Sequence, residues 1–253
     1  MRFANHLADV ADSIAMRFFR MNPGVRMKQD GSPVTEADEA VEKALRQEIL
    51  ASFPRDAVVG EEEGAAAGTS GRRWILDPID GTKNYSFGIP VWATLIALEE
   101  RGEVVAGVVS APAIAERYEA ARGSGARRNG ETLSVSGVSS LPEARVSYGS
   151  FSSFEKHGRG EGFLRLIRTA RWSRGFGDFW GHMLVAGGHV DVMAEPQVNV
   201  WDLAPLLVIV EEAGGRFTDL SGARRPDGGS ALSTNGLLHE AALESLGLNV
   251  MEP

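Results

Sequence analysis

Two aspartates that follow a short apolar run are the first residues whose types and spacing could do chemistry. The segment at 74–85 reads WILDPIDGTKNY and places Asp77 and Asp80 on either side of Pro78. An apolar run that ends in carboxylates predicts a buried strand that brings its end to a functional site. Because proline cannot donate a ladder hydrogen bond, we expect strand pairing to stop at Pro78. The Ile79 carbonyl could then converge with the two carboxylates.

These oxygens and the turn after them favour a metal-assisted phosphate site. Carboxylate and carbonyl oxygens are the ligands that a hard cation such as Mg2+ prefers. Gly81 and Thr82 directly follow Asp80. A glycine turn can direct backbone N–H groups at an anion, and the threonine hydroxyl adds a further donor.

Further acidic positions could join this site, and each also has a purely structural interpretation. The run Gly60-Glu61-Glu62-Glu63-Gly64 follows a short predicted strand and could be a solvated loop. Asp202 precedes an apolar helix predicted at 203–210, where an acid is favoured by the helix dipole alone. Asp38 follows Thr35 at the spacing of a capping box. On the residues alone, these alternatives stay open.

The elements that must position these residues are predicted as helices, then a strand-rich half, then an α/β half, stacked in layers with two subdomains sharing a cleft. Predicted helices cover 3–21, the segment from Thr35 to Phe53, 162–169, 179–186 and 201–213. Predicted strands cover 57–59, the apolar run before Asp77, 91–98, 104–109, 118–123, 126–135, 145–148, 189–193 and 231–234. We also expect a turn or hairpin tip at 28–33, a mobile loop at 65–71 and a boundary at 136–142.

Composition narrows the class of protein. The 253 residues include no cysteine, which excludes disulfides, thiolate metal sites and thiol nucleophiles. The formal net charge of −8 disfavours nucleic-acid binding. No stretch approaches the length of an apolar membrane-spanning segment, and no secretory h-region is visible, so we expect a soluble, cytoplasmic protein.

Three motifs together resemble the inositol monophosphatase family, which comprises Mg2+-dependent, lithium-sensitive phosphatases. GEE at 60–62, DPIDGT at 77–82 and WDLAP at 201–205 stand in the family's order, and the resemblance covers the whole chain. It implies an α/β fold, a layered αβαβα sandwich. It also implies one family domain over 1–253, with a metal-binding subdomain at about 1–138 and a substrate-reading subdomain at about 139–253.

The resemblance implies a role for each matching residue. It places two or three Mg2+ ions in the site, the first held by Glu61, Asp77 and the Ile79 carbonyl, the second by Asp77, Asp80 and Asp202. Thr82 with Asp38 would orient or deprotonate the attacking water, and Glu61 would help to place that water. The backbone N–H groups of Gly81 and Thr82 would bind the phosphate.

A second layer of matches resembles the histidinol-phosphate phosphatases of this family. Lys83-Asn84-Tyr85, the segment at 88–95 and Gly177-Asp178-Phe179-Trp180-Gly181 carry this resemblance. It implies hydrolysis of L-histidinol phosphate, a step of histidine biosynthesis. The alternative is an inositol-1-phosphate, sugar-phosphate or nucleotide 3′-phosphate phosphatase.

The substrate-reading residues are expected to be acidic, because histidinol phosphate carries an amine and an imidazole. Asp178 and Glu195 could accept hydrogen bonds from those cationic groups, and Arg174 could face the phosphate or a neighbouring acid. Asp178 could instead cap a helix, and Glu195 could be a surface acid. His182 and His189 are interpreted as structural residues. The expected partner is a small phosphorylated metabolite, with neither nucleic acid nor membrane, and the resemblance implies a homodimer.

Overall fold

The computed structural model describes residues 1–19, 25–27 and 33–247. Its helices are α1 (Arg2–Phe19), α2 (Glu36–Ser52), α3 (Thr82–Ser86), α4 (Phe151–Lys156), α5 (Gly160–Thr169), α6 (Asp178–Ala186), α7 (Val200–Glu212) and α8 (His239–Ser245). Its first strands are β1 (Val25–Met27), β2 (Pro33–Thr35), β3 (Ala57–Gly60), β4 (Gly64–Ala66), β5 (Arg72–Asp80), β6 (Ala93–Glu100), β7 (Glu103–Ala111) and β8 (Glu116–Ala121). The remaining strands are β9 (Ala126–Arg128), β10 (Glu131–Thr132), β11 (Arg145–Tyr148), β12 (Trp172–Arg174), β13 (Val192–Glu195), β14 (Arg216–Thr218) and β15 (Ala231–Thr234).

An eight-stranded sheet in the order β10-β9-β8-β7-β6-β5-β3-β4 forms the first half of the molecule. All of its pairs are antiparallel except β3 with β5, which are parallel. Along β5, Trp74 and Leu76 face one core cluster, whereas Ile75 faces another. This alternation shows that helices cover both faces of the sheet, which explains why β5 is apolar at successive positions.

The two faces are covered by different pairs of helices. The stripe of α1 that includes Leu7 and the stripe of α2 that includes Leu45 pack with Trp74 and Leu76 on one face. On the other face α7, which is apolar almost all round, packs with α6 against Ile75. A helix that is apolar on every side is expected between two layers.

A second sheet, β12-β11-β13-β15-β14, lies beyond α6 and α7. Phe217 of β14 and Ala231 of β15 join the cluster built on α7, while Val146 of β11 packs with α4, α5 and α8 on the opposite face. Helices, sheet, helices, sheet and helices therefore follow one another, which confirms the αβαβα sandwich.

Most of the predicted elements are present, with three corrections. The predicted loop at 65–71 begins as an edge strand, because β4 pairs antiparallel with β3. The strand predicted over 126–135 is interrupted by a turn at Asn129-Gly130, where both residues have positive φ values of 50° and 85°. The last strand before α7 starts at Val192, not at 189. The elements α3, α4, α8, β12 and β14 are not predicted from the sequence.

Other expectations have different outcomes. The capping box at the start of α2 is confirmed, since Thr35 N donates to Asp38 Oδ2 over 2.8 Å. The end of the first predicted helix, at 20–21, and most of the hairpin tip at 28–33 lie outside the described residues. The subdomain boundary near 138 stays a prediction. Within the described ranges, no helix combines the length and apolar character needed to cross a membrane.

Candidate metal centre and active site

Strand β5 brings its two aspartates to the site through a bulge. Pairing with β6 sets Asp77 opposite Leu95 and Asp80 opposite Ala93, so one extra residue is inserted between them. The prediction that Pro78 ends the strand is therefore wrong. The Pro78 carbonyl accepts a hydrogen bond from Thr94 Oγ1 at 2.8 Å. Proline fits a bulge because the bulged residue does not have to donate a hydrogen bond to the neighbouring strand. A bulge also interrupts the regular alternation of side chains, so both carboxylates can point towards the same site.

The loop that carries Glu61 is fastened to α2 by a buried carboxylate. Glu42 has no exposed surface and accepts hydrogen bonds from the backbone of Glu62 at 2.7 Å and of Glu63 at 2.9 Å. Arg46 Nε also donates to Glu42 over 2.8 Å. A Cβ at Gly60 would overlap Glu42 Oε1, so a side chain at this position would displace the carboxylate that holds the loop. Because β3 runs parallel to β5, the loop emerges beside Asp77.

Asp202 reaches the same place from the first turn of α7. The backbone N–H of Asn199 donates to Asp202 Oδ2 over 2.7 Å, as in a capping box. Ligand oxygens of Glu61, Asp77 and Asp202 all lie within 4.8 Å of one another. Carboxylates this close repel unless a cation or protons compensate them, so the donor set fits a hard metal ion.

The electrostatics of the cluster agree with that chemistry. Burial, followed by the charge of Glu61, raises the pKa of Asp77 well above its usual range. Burial raises the pKa of Asp202 to about 7, although the Asn199 N–H acts in the opposite direction. The pKa of Asp80 is also raised well above its usual range, by burial and then by Asp178 and Asp202. Each carboxylate is therefore held in a place where its own charge is costly without a cation.

Asp80 lies on the cavity side of this cluster. Its Oδ2 accepts the backbone N–H of Phe179 over 2.6 Å, at the start of α6. A cavity of about 120 Å³ opens here, lined by Asp80, Asp178, Phe179, Glu195, Gln197, Val198, Asp202 and Leu206. Two of the predicted metal ligands, Asp80 and Asp202, thus share one pocket with the predicted substrate acids.

Asp38 and Thr82 contact other partners. Asp38 Oδ2 accepts from Thr35 N and Thr35 Oγ1, whereas the buried Oδ1 has no hydrogen-bond partner. Thr82 Oγ1 donates to the Ile79 carbonyl over 2.9 Å. Among the hydrogen bonds of the described residues, none joins Thr82 to Asp38, so their proposed pairing stays a prediction. Gly81 adopts a positive φ of 81° at the start of α3, which a side chain would strain.

The two predicted substrate acids are neighbours in the cavity wall. Asp178 N lies 3.3 Å from Glu195 Oε1. Asp178 has a positive φ of 55°, which is uncommon for any residue but glycine and often marks a functional position. Burial, and then the charge of Glu195, raises the pKa of Asp178 to about 6. Glu195 is almost fully buried and is not a surface acid.

Arg174 lies apart from this cavity. Its exposed guanidinium stacks over the Trp172 ring at 5.7 Å and donates to the Ser173 carbonyl over 2.9 Å. A wider, open depression of about 590 Å³ lies near it, lined by Val138, Glu143, Arg145, Arg171 and Trp172. The Arg145 guanidinium in this depression already donates hydrogen bonds to Asp191. We therefore assign the active site to the smaller acidic cavity.

Sequence reasoning missed several residues that shape the site. Glu42 looked like an ordinary helix residue, although its place beside the apolar stripe of α2 hinted at burial. Gln197 and Val198 line the cavity without any motif that could reveal them. His182 is buried as a structural residue should be, but it also contacts Glu195.

Comparisons with known proteins agree with this geometry. The model of the inositol monophosphatase family matches residues 1–249. The histidinol-phosphatase of Mycobacterium tuberculosis is 49% identical over 95% of both chains. That of Streptomyces coelicolor is 47% identical, over 96% of this chain and 95% of its own. The structure of an inositol monophosphatase ("IMPase") from Thermotoga maritima is similar with a TM-score of 0.87 and 34% identity, covering 97% of this chain and 95% of its own.

Proposed function

The chain belongs to the inositol monophosphatase family, and we propose that it is a Mg2+-dependent phosphatase that hydrolyses L-histidinol phosphate to L-histidinol and phosphate. The choice of substrate rests on Asp178 and Glu195, two acids in the cavity wall beside Asp80 and Asp202. Histidinol presents an amine and an imidazole, which acids can bind when those groups are protonated. An inositol ring carries only neutral hydroxyls and gains less from two buried carboxylates. The relatives named histidinol-phosphatase support the same choice.

The acidic cluster would hold the metal ions. Glu61, Asp77 and the Ile79 carbonyl would bind one Mg2+, and Asp77, Asp80 and Asp202 a second, with a third more weakly held. Bound Mg2+ supplies positive charge that offsets the phosphate and makes a water molecule easier to deprotonate. Uncatalysed hydrolysis of a phosphate monoester is extremely slow, so charge neutralisation and alignment must provide most of the rate.

The protein groups around the cluster would bind the phosphate and direct the water. The backbone N–H groups of Gly81 and Thr82 would hold phosphate oxygens at the start of α3. Asp38 and Thr82 would orient the attacking water, and Asp38 Oδ1 is free to accept its proton. Burial raises the pKa of Asp38 to about 6. A carboxylate with that pKa is ionised at neutral pH yet more basic than an ordinary aspartate, which suits a general base.

Phosphate release from three substrates tests the proposal. Histidinol phosphate, myo-inositol 1-phosphate and adenosine 3′,5′-bisphosphate are compared with Mg2+ and with EDTA, using Asp80→Asn protein as the negative control. We expect histidinol phosphate to have the highest kcat/KM and D80N to be inactive. Equal or better turnover of inositol phosphate would overturn the substrate assignment. Activity in D80N, or in EDTA, would overturn the metal assignment.

Two further features rest on the family resemblance alone. We propose a homodimer, for which light scattering should give the mass of two chains. We also propose a cytoplasmic location, which fractionation of the producing cells would test.

A further inference from the structure

A buried row of hydrogen bonds lies directly behind Glu195. His182, on α6, has no exposed surface. Its Nδ1 lies 2.6 Å from Ser233 Oγ on β15, and its Nε2 lies 3.1 Å from Glu195 Oε2 on β13. Three elements of the second half therefore meet at one imidazole, although this ring does not line the cavity.

The direction of these hydrogen bonds follows from the groups involved. An ionised carboxylate can only accept, so His182 Nε2 must carry the proton and donate to Glu195. In the singly protonated ring, Ser233 donates its hydroxyl proton to Nδ1. β13 and β15 pair antiparallel with Met193 opposite Ser233, so Ser233 and Glu195 emerge on the same face of the sheet. Backbone pairing thereby fixes both ends of the row.

This row determines what Glu195 presents to the cavity. Its Oε2 is occupied by His182, while Oε1 lies 3.3 Å from Asp178 N. A Cβ at Gly149 would come within 2.6 Å of Oε1, so the backbone there leaves the carboxylate little room to rotate. An arginine or lysine in place of His182 would orient Glu195 equally well but would cancel its charge. An imidazole can donate from Nε2 without carrying a charge, so it can orient the carboxylate and leave its negative charge to a cationic substrate.

We propose that His182 is a positioning residue that selects cationic phosphate esters by holding Glu195 in place, with Ser233 fixing the imidazole. The inference rests on the proposed function, because it assumes that Glu195 faces the cationic part of the substrate. It assigns the selection to a residue that never touches the substrate.

The experiment measures KM for two esters in each variant, namely histidinol phosphate and p-nitrophenyl phosphate, whose alcohol carries no cation. The readout is the ratio of the first KM to the second. In His182→Leu, which removes both ring nitrogens, we expect the ratio to rise about tenfold, the effect of losing one hydrogen bond to a charged group. His182→Gln keeps an N–H donor and should restore most of the wild-type ratio. Ser233→Ala should raise the ratio by about threefold.

His189 offers a matched control, because it is an exposed histidine just after the same helix. His189→Gln should leave the ratio at the wild-type value. A folded H182L protein in which both KM values rise equally would show a general structural role and overturn the inference. If H182L does not fold, the KM ratio of S233A is the test. An unchanged ratio in S233A would overturn the inference.

The activity of the wild-type protein distinguishes failure of the proposed function from failure of the role proposed for His182. If it leaves histidinol phosphate intact, the proposed function and this inference both fail. If it hydrolyses histidinol phosphate but the ratio does not respond to the variants, only the role of His182 fails.

Discussion

Replacing Glu42 by glutamine changes one atom in a residue that does not line the substrate cavity, yet it should weaken metal binding. The Glu42 carboxylate holds the backbone N–H groups of Glu62 and Glu63, the two residues that follow the predicted metal ligand Glu61. In Glu42→Gln, one acceptor oxygen becomes an NH2 group that faces donors. The loop must then move away from α2, and Glu61 moves with it.

The structure gives the magnitude of two effects. The Arg46 side chain is 9% exposed and that of Glu42 is 0% exposed, so E42Q breaks a buried ion pair. Removing one partner of such a pair costs about 3–5 kcal/mol. For a chain of this size, about 3 kcal/mol lowers Tm by roughly 6–12 °C. Loss of an outer-sphere support of a metal ligand typically weakens metal affinity by about 10–100-fold.

Two measurements on the same protein separate these effects. The Mg2+ concentration for half-maximal activity should rise by about 10–100-fold in E42Q, while saturating Mg2+ restores most of kcat, because the ligands themselves are intact. A titration of Tm against Mg2+ gives the same comparison without substrate. Glu48→Gln is the matched control, since Glu48 lies on the same helix but is half-exposed and forms its ion pair with the exposed side chain of His6.

A well-folded E42Q protein with the wild-type Mg2+ requirement would refute the reasoning. It would show either that the loop keeps its position without Glu42 or that Glu61 does not bind the metal. The E48Q protein must behave like wild type in both titrations for the comparison to hold.

Three further predictions concern the acids of the site, Gly60 and the buried His239. In the metal-free protein, the pKa of Asp38 is raised to about 6 and that of Asp202 to about 7. The protonated forms of these two groups therefore stabilise the fold fully below about pH 4, and this stabilisation is lost as the pH rises through about 7. Chemical denaturation across this range should show that loss, and saturating Mg2+ should remove it. Gly60→Ala should weaken Mg2+ binding as E42Q does, because its Cβ would overlap Glu42 Oε1; a normal Mg2+ titration would contradict the packing. Burial lowers the pKa of His239 to about 4, so its contribution is present above about pH 6.5 and is lost as the pH falls through about 4. Relative to His239→Gln, wild type should lose up to about 3 kcal/mol over that interval, and parallel profiles would argue against it.

The acidic residues of the candidate metal site could be identified from the sequence because their signals are local. Asp77 and Asp80 end an apolar run, and Asp202 stands in the first turn of an apolar helix. Each can be identified within a dozen residues of chain. The layered fold could be predicted for the same reason, since hydrophobic period and turn residues mark the longer elements. The prediction that strand pairing stops at Pro78 was wrong because the rule behind it was incomplete. Proline ends a regular ladder, yet it fits a bulge that keeps the strand in the sheet.

The supporting residues could not be predicted, because their partners are distant in sequence. Glu42 binds a loop 20 residues away, and His182 bridges two strands of which one lies 51 residues away. Nothing near Glu42 distinguishes it from a solvated helix glutamate except its place beside an apolar stripe. The left-handed backbone at Asp178 is equally invisible, since only the fold around it can impose that conformation.

Five aspartates of this protein differ in what balances their charge. Asp56 and Asp191 each bind an arginine, and hydrogen bonds from that arginine help to lower their pKa values despite burial. Among the described residues, no lysine or arginine forms an ion pair with Asp77, Asp80 or Asp202, and the pKa of each is raised. The fold places an arginine beside Asp56 and another beside Asp191, so the same solution was available for Asp77, Asp80 and Asp202. Because no lysine or arginine of the described residues pairs with these three carboxylates, their charge is compensated only by protons or by a cation from solution. The same uncompensated charge that costs stability in the metal-free protein is therefore what allows metal binding to stabilise the fold.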